Sequence, residues 1–417
     1  LIRWKYYNAN LGIFAFRWDT DHYDVTVRKD RIVLTYDEGL GKSFEAHRNA
    51  YRIVLETADA KTFVPAEGPE KGERQFTDGT VSEIRMYGKA GELQVRATGV
   101  DVPLVALQGW YNEDGDYDSL FQYLDGFNST HIGANNGPRS GWNDYILKDE
   151  IRTGAGNDKV WARGGNDYIV DHGGRDVYHG GAGRDQLSYD QWFWEPAGIK
   201  SGIRADLAGG TIQGPDGRTD KVTAIEQIRG TFLRDVIRGD AKDNEFQGMA
   251  GDDLLVGRGG WDRASYRNEA NQGGTAGIRA NLETGKVRDG FGTVDTLRGI
   301  EEVQGTDVRD VFTDGKRDHS YRGRDGNDLF RITGGDDWIR GDSGADRFLF
   351  KGRAFGSNTI DDFDTREGDR IEIAAAKNFK ALTIASVNGG EDTLVTFAKG
   401  EILLEDVASV DTGDFIF

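Results

Sequence analysis

The chain has 417 residues, a formal net charge of −19, no cysteine, and Gly 59 against Pro 6. That balance excludes disulfides and thiolate metal sites, argues against nucleic acid and anionic membranes as partners, and describes a turn-dense β protein. Trp 9 and Phe 21 supply apolar volume for a core, and the length leaves room for two or three domains.

Alternating apolar and polar residues predict strands at Tyr23-Asp-Val-Thr-Val-Arg28, Arg31-Ile-Val-Leu-Thr-Tyr36, Ser82-Glu-Ile-Arg-Met-Tyr87 and Glu92-Leu-Gln-Val-Arg96. Tyr117-Asp-Ser-Leu-Phe-Gln-Tyr-Leu124 reads as a short helix opening from Asp116. Residues 1–135 therefore read as a β-rich globular domain, in which no family is recognised. His22, His47 and His131 lie there and read as surface or packed residues. The Gly- and Asn-rich stretch 126–141 reads as a junction. No charged-then-apolar leader opens the sequence, and no apolar run is long enough to span a membrane.

A nine-residue period follows. Asp158, Asp167, Asp176 and Asp185 are spaced by nine, as are Asp235, Asn244, Asp253 and Asp262, and again Asp310, His319, Asp328, Asp337 and Asp346. Two residues after each stands an apolar or aromatic side chain: Val160, Ile169, Tyr178, Leu187, Ile237, Phe246, Leu255, Ala264, Phe312, Tyr321, Phe330, Ile339 and Phe348. In a chain that is 37% hydrophobic, such an unbroken run has a chance probability on the order of a few in a million. The period is structural.

Glycines crowd the residues before the acids. Gly154, Gly156 and Asn157 precede Asp158, Gly165 precedes Asp167, and Gly174 precedes Asp176. Gly181 and Gly183 precede Asp185, Gly251 precedes Asp253, and Gly260 precedes Asp262. Gly326, Gly335 and Gly344 stand likewise before Asp328, Asp337 and Asp346. Glycine permits the left-handed backbone of a tight turn and leaves carbonyls bare to approach a cation. Aspartate supplies the hard anionic oxygen that suits calcium. No turn can bury its inward side chain alone, so the turns stack.

These residues resemble the RTX nonapeptide, a glycine-rich turn and short strand stacked into a parallel β-roll that binds calcium. The resemblance covers roughly residues 150–190, 230–265 and 305–350. It implies an all-β protein with a calcium-binding solenoid over residues 136–355, several calcium ions, and the acids and glycines named above as the metal site. Ions between turns two apart would pair Asp158 with Asp176, Asp167 with Asp185, Asp235 with Asp253, Asp310 with Asp328, and Asp328 with Asp346. The match is uneven: Asn244 weakens one position and His319 replaces the acid at another. The turns beginning Gly230 and Asp314 lack most glycines, and are expected to continue the solenoid with weak calcium binding or none.

A second repeat has a period of 75. Gly202-Ile-Arg-Ala-Asp-Leu207 matches Gly277-Ile-Arg-Ala-Asn-Leu282, Asp220 matches Asp295, and Gly230-Thr231 matches Gly305-Thr306. These long segments are expected to add wider coils to the same helix. Asp361-Asp-Phe-Asp-Thr-Arg-Glu-Gly-Asp369 resembles the region that follows RTX arrays, so residues 356–417 would cap the open strand edge. The ending Asp414-Phe-Ile-Phe417 is similar to the C-terminal signals of type I secretion substrates. The resemblance thus implies export from a Gram-negative cell by type I secretion machinery, to the medium or cell surface.

Other strings carry less. Gly341-Asp-Ser-Gly-Ala345 falls within a nonapeptide, and Arg238-Gly-Asp240 and Arg340-Gly-Asp342 arise where a strand meets the next turn. There is no His-Glu-x-x-His and no Gly-x-Ser-x-Gly. Trp192, Phe193 and Trp194 occupy the first long segment, whereas Asn268-Glu-Ala-Asn-Gln-Gly273 in the second has no aromatic. Those rings are candidate contacts for a glycan or protein, or packing against the N-terminal domain. The function expected is non-enzymatic calcium-dependent extracellular binding, as an adhesin, matrix component or glycan-binding module. Two alternatives are an enzyme acting on polysaccharides or esters from a site in residues 1–135, and a hemophore.

Overall fold

The computed structural model describes residues 151–153, 155–190 and 201–417 with their side chains, and before them the backbone of Glu150 and of seven strands from Ile2 to Ile132. The chain divides into two compact units, residues 1–191 with 210–225 and residues 192–209 with 226–417. The helix expected at Tyr117–Leu124, His22, His47, Gly154, Trp192, Phe193 and Trp194 lie outside the described residues.

In the first unit, the four strands expected from alternation are present as Tyr23–Val27, Arg31–Tyr36, Gln75–Tyr87 and Leu93–Pro103. With Arg52–Phe63 they form an antiparallel meander. Leu93–Pro103 then pairs with Ile2–Tyr6, which lies parallel to Ser129–Ile132. That strand in turn lies parallel to Lys159–Gly164, the strand of the first nonapeptide.

From there each coil consumes two nonapeptides. Lys159–Gly164 pairs in parallel with Val177–Ala182, matching Val160 to Tyr178. Tyr168–Val170 pairs with Gln186–Ser188, matching Ile169 to Leu187. Alternate turns thus feed alternate sheets, and residues 18 apart in sequence become neighbours. The second unit repeats the plan. One sheet runs through Val236–Arg238, Leu254–Val256 and Val294–Arg298, and through Val311–Thr313, Leu329–Ile332, Arg347–Phe350 and Arg370–Ile373. The other runs through Gln227–Arg229, Glu245–Gln247, Arg263–Ser265, Glu302–Gln304, Ser320–Arg322, Trp338–Arg340 and Ser357–Ile360.

All thirteen residues two places after the periodic position are 0% exposed. The strand pleat turns them inward, and the stacking of coils covers them above and below. Phe312, Phe330 and Phe348 stack face to face, with centroids 4.9 and 5.2 Å apart.

The long segments do more than widen a coil. In the second unit Arg279–Asn281, Lys286–Arg288 and Val294–Arg298 form an antiparallel excursion inside the sheet. Its outer strands rejoin the parallel order on Val311–Thr313 and Leu254–Val256. In the first unit Thr211–Gln213 and Thr219–Thr223 form a hairpin whose second strand lies parallel to Val177–Ala182. Parallel growth ends at the hairpin of Thr383–Val387 and Asp392–Phe397, and at Phe415–Ile416, which pairs with Arg370–Ile373. Among the described residues no helix is long and apolar enough to cross a membrane.

Candidate metal centres

Every periodic acid is buried, and so are Asn244 and His319 in the same register. A ladder of charge-assisted hydrogen bonds explains how aspartate tolerates this. The N–H of Asp158 donates to Asp176 Oδ1 at 2.6 Å, that of Asp167 to Asp185 at 2.8 Å, and that of Asp235 to Asp253 at 2.7 Å. Asp310 donates to Asp328, and Asp328 to Asp346, each at 2.8 Å. The five pairs expected two turns apart are therefore brought together, each through one carboxylate oxygen. The long segments supply acids to the same ladder: Asp176 donates to Asp220 at 2.9 Å, and Asp253 to Asp295 at 3.0 Å.

The other oxygen is the informative one. Oδ2 of Asp253, Asp262, Asp328, Asp337 and Asp346 is buried and receives no hydrogen bond. A desolvated anionic oxygen with no donor is costly unless a proton or a cation joins it. Burial pushes these carboxyls up, to about 9 for Asp328, about 8 for Asp337, about 7 for Asp346 and about 6 for Asp262.

At Asp253, Asp262, Asp328 and Asp346 what surrounds Oδ2 is the glycine five residues earlier, whereas Asp337 has Ile332 in that place. A Cβ at Gly248 would lie 2.3 Å from Asp253 Oδ2, and one at Gly341 2.1 Å from Asp346 Oδ2. At Gly257 it would meet Asp262 Oδ2 at 2.2 Å and the Gly299 carbonyl oxygen at 2.0 Å. At Gly323 it would meet Asp328 Oδ2 at 2.1 Å and the Gly341 carbonyl at 2.6 Å. The missing side chain leaves a space where a carboxylate oxygen and a main-chain carbonyl converge, the donor set of a hard cation. Calcium fits these residues, supplying the positive charge that the facing carboxylates lack.

The metal site expected from the sequence does not include this glycine. The glycines that were singled out, two residues before the acid, do something else. Gly344 has φ 141° and its Cβ would fall 1.6 Å from the Gly326 carbonyl oxygen; Gly183 stands in the same relation to Gly165, at 1.8 Å. They let one turn lie flat on another. Asn157 also acts between turns, accepting the N–H of Arg175 at 2.9 Å. Asn166, Asp243, Asp318 and Asn327 repeat this 18 residues from their donors. Four residues before the acid, Arg163, Met249, Arg258, Arg324 and Asp342 adopt positive φ without being glycine, which is how turns with a partial glycine pattern still close.

Asp235 and Asp310, named as ligands from the sequence, differ from the rest. Asp235 accepts Thr231 N–H at 2.7 Å, Thr231 Oγ1 at 3.0 Å and Ile203 N–H at 2.6 Å. Asp310 accepts Thr306 N–H, Thr306 Oγ1 and Ile278 N–H in the same way. Both oxygens of each are engaged by donors, two of the three supplied by the threonine four residues earlier.

The fold and these carboxylates define a parallel β-roll with hard-cation turns. The turns are RTX repeats: the family model of the RTX calcium-binding nonapeptide repeat (4 copies) matches residues 152–187, 229–263 and 322–350, so the chain carries RTX calcium-binding repeats. Among solved structures the chain is similar to the extracellular lipase LipA of Serratia marcescens, at 16% identity over 70% of this chain and 40% of that one, with a TM-score of 0.19. It is also similar to the AlgE6R3 subunit of the Azotobacter vinelandii mannuronan C5-epimerase, at 19% identity over 44% of this chain and 78% of that one, with a TM-score of 0.19. The chain spans 40% of the lipase's length, and neither likeness bears on activity. No curated protein matches the chain.

Proposed function

We propose that this is a secreted, non-enzymatic calcium-binding protein whose rolls fold on calcium outside the cell and support binding to an extracellular partner, as an adhesin, matrix component or glycan-binding module. The observation that carries the calcium control is the row of buried Oδ2 atoms without donors at Asp253, Asp262, Asp328 and Asp346. Calcium offsets their desolvation and mutual repulsion, so binding energy becomes folding energy. In calcium-poor cytosol the repeats stay loose and exportable. Residues 1–135 hold the binding specificity, with Trp192, Phe193 and Trp194 as candidate contacts, and residues 356–417 close the roll and carry the type I secretion signal. The sequence carries neither His-Glu-x-x-His nor Gly-x-Ser-x-Gly, the signatures of a zinc protease and of a lipase nucleophile elbow.

The test is circular dichroism and thermal melting of metal-stripped protein with and without millimolar calcium, with magnesium as control. Strand content and melting temperature rise with calcium alone. Equal strand content and melting in EGTA would remove calcium control. A glycan array on calcium-loaded protein reads the binding role. Turnover of polysaccharide or ester substrates in zymograms would replace that role with an enzyme acting from residues 1–135, and a haem absorbance titration tests the hemophore.

A further inference from the structure

The turn at His319 departs from its neighbours in three linked ways. Its place in the 75-residue repeat is that of the turn at Asn244: Asp314 stands where the sister has Gly239, His319 where it has Asn244, and Tyr321 where it has Phe246. The backbone relation is the same in both. Asn244 N–H donates to Asp262 Oδ1 and His319 N–H donates to Asp337 Oδ1, each at 2.9 Å. The fold therefore does not require the three polar side chains, since it forms with Gly, Asn and Phe. The RTX family match also passes over this turn, resuming at residue 322.

We propose that Asp314, His319 and Asp337 form a separate cation site, selective for a divalent transition ion of the zinc type over calcium. Each offers a ligand atom, all three atoms lie within 4.8 Å of one another, and all three residues are buried. Asp337 is 3% exposed and its Oδ2 has no donor. His319 Nδ1 lies 3.2 Å from Asp314 Oδ1. Two ligands of one tetrahedral zinc, bonded at about 2.0–2.1 Å, are separated by roughly 3.3 Å. Imidazole nitrogen with carboxylate oxygen suits zinc, iron or nickel, whereas calcium calls for oxygen throughout.

Asp314 is held for this task. Its Oδ1 accepts Tyr321 O–H at 2.8 Å and Gly315 N–H at 2.5 Å, and its Oδ2 accepts Thr333 N–H at 3.1 Å and Gly334 N–H at 3.2 Å. Donors around a ligating carboxylate fix its orientation. An incoming ion displaces the His319–Asp314 hydrogen bond and takes both atoms as ligands. The first unit has the same acid–tyrosine pair, Tyr178 donating to Asp171 at 2.6 Å, but with Asp176 in the histidine's place. Nitrogen is supplied at the His319 turn alone among these two.

The experiment titrates full-length protein in saturating calcium with Zn²⁺ by calorimetry, and with Co²⁺ by visible absorbance. His319→Asn is the test variant, because the sister turn folds with asparagine there. The wild type binds one more Zn²⁺ than the variant, with Co²⁺ ligand-field bands that the variant lacks. If the variant retains a weak site, its affinity falls roughly tenfold or more. The calcium-induced rise in melting temperature stays the same in both. Asp337→Asn, which keeps an acceptor for His319 N–H, also loses the extra Zn²⁺ and serves if His319→Asn does not fold. Equal Zn²⁺ binding in wild type and folded variants, no Zn²⁺ binding by the wild type, or displacement of Zn²⁺ by millimolar calcium overturns the proposal. Because calcium binding is read separately, failure of the calcium reading and failure of this one are distinguishable.

Discussion

Gly248 and Asp253 share one space: a Cβ at Gly248 would lie 2.3 Å from the carboxylate oxygen that Asp253 keeps buried and without a donor. Gly248→Ala therefore displaces a calcium ligand while leaving the Asp235–Asp253 hydrogen bond intact. The expected cost is about 1–3 kcal/mol, seen as a raised calcium midpoint in a circular-dichroism titration. A midpoint equal to wild type would show that Asp253 Oδ2 is not a ligand.

Gly344→Ala makes the contrasting case. Its Cβ meets the Gly326 carbonyl at 1.6 Å, and φ is 141°, so the substitution obstructs stacking itself. Melting temperature should fall with calcium and without it, by more than for Gly248→Ala. A loss confined to calcium-loaded protein would contradict the stacking role.

Asp253→Asn and Asp235→Asn should separate ligand from staple. At Asp253 the amide keeps an oxygen for Asp235 N–H but removes the anionic Oδ2, so the calcium midpoint rises while metal-free stability holds or improves. At Asp235 an amide nitrogen must face a donor from Thr231 or Ile203, leaving buried groups unpaired at about 1–3 kcal/mol in either condition. Urea melts of both variants with and without calcium decide it.

Burial pushes Asp328 up to about 9 and Asp346 to about 7 in the metal-free fold, against roughly 4 in an unfolded chain. The folded state thus binds more protons than the unfolded one, and stability falls as pH rises. For metal-free protein this contribution is whole below about pH 4 and is lost through about pH 7 to 9. Calcium replaces those protons, so the gap in melting temperature between calcium-loaded and metal-stripped protein should widen from pH 5 to pH 8. A gap that narrows would contradict the carboxylate assignment.

Removing Phe415–Phe417 should do two things. Phe415 is 7% exposed and its strand extends the sheet at Arg370–Ile373, so its loss costs about 1.5–3 kcal/mol of burial. Calcium binding at Asp253 and Asp328 persists, since the tail is remote from those turns in the ladder. Export through a type I system should fall, and undiminished secretion of the truncated chain would remove the secretion reading.

The nine-residue spacing by itself determined that the turns stack, because an inward side chain and an acid at fixed offsets leave stacking as the way to bury both; the RTX resemblance implied the parallel roll. The resemblance also implied the pairing of Asp158 with Asp176 and of Asp328 with Asp346, which the fold makes because alternate turns enter alternate sheets. Composition could not assign roles among the glycines. Whether a glycine frees a carboxylate, as Gly341 does for Asp346, or lets a turn lie flat, as Gly344 does on Gly326, depends on which atoms from 18 residues away come within contact. Nor could it separate Asp253 from Asp235, identical in register, because the difference lies in the hydroxyl and N–H that Thr231 turns back onto one carboxylate. His319 read as a lost ligand in its own turn; only the packing of coils put Asp314 and Asp337 beside it. Spacing along the chain fixes which residues share a face, but the number of donors around each buried oxygen is set by the neighbouring coil, and that number decides where a cation can bind.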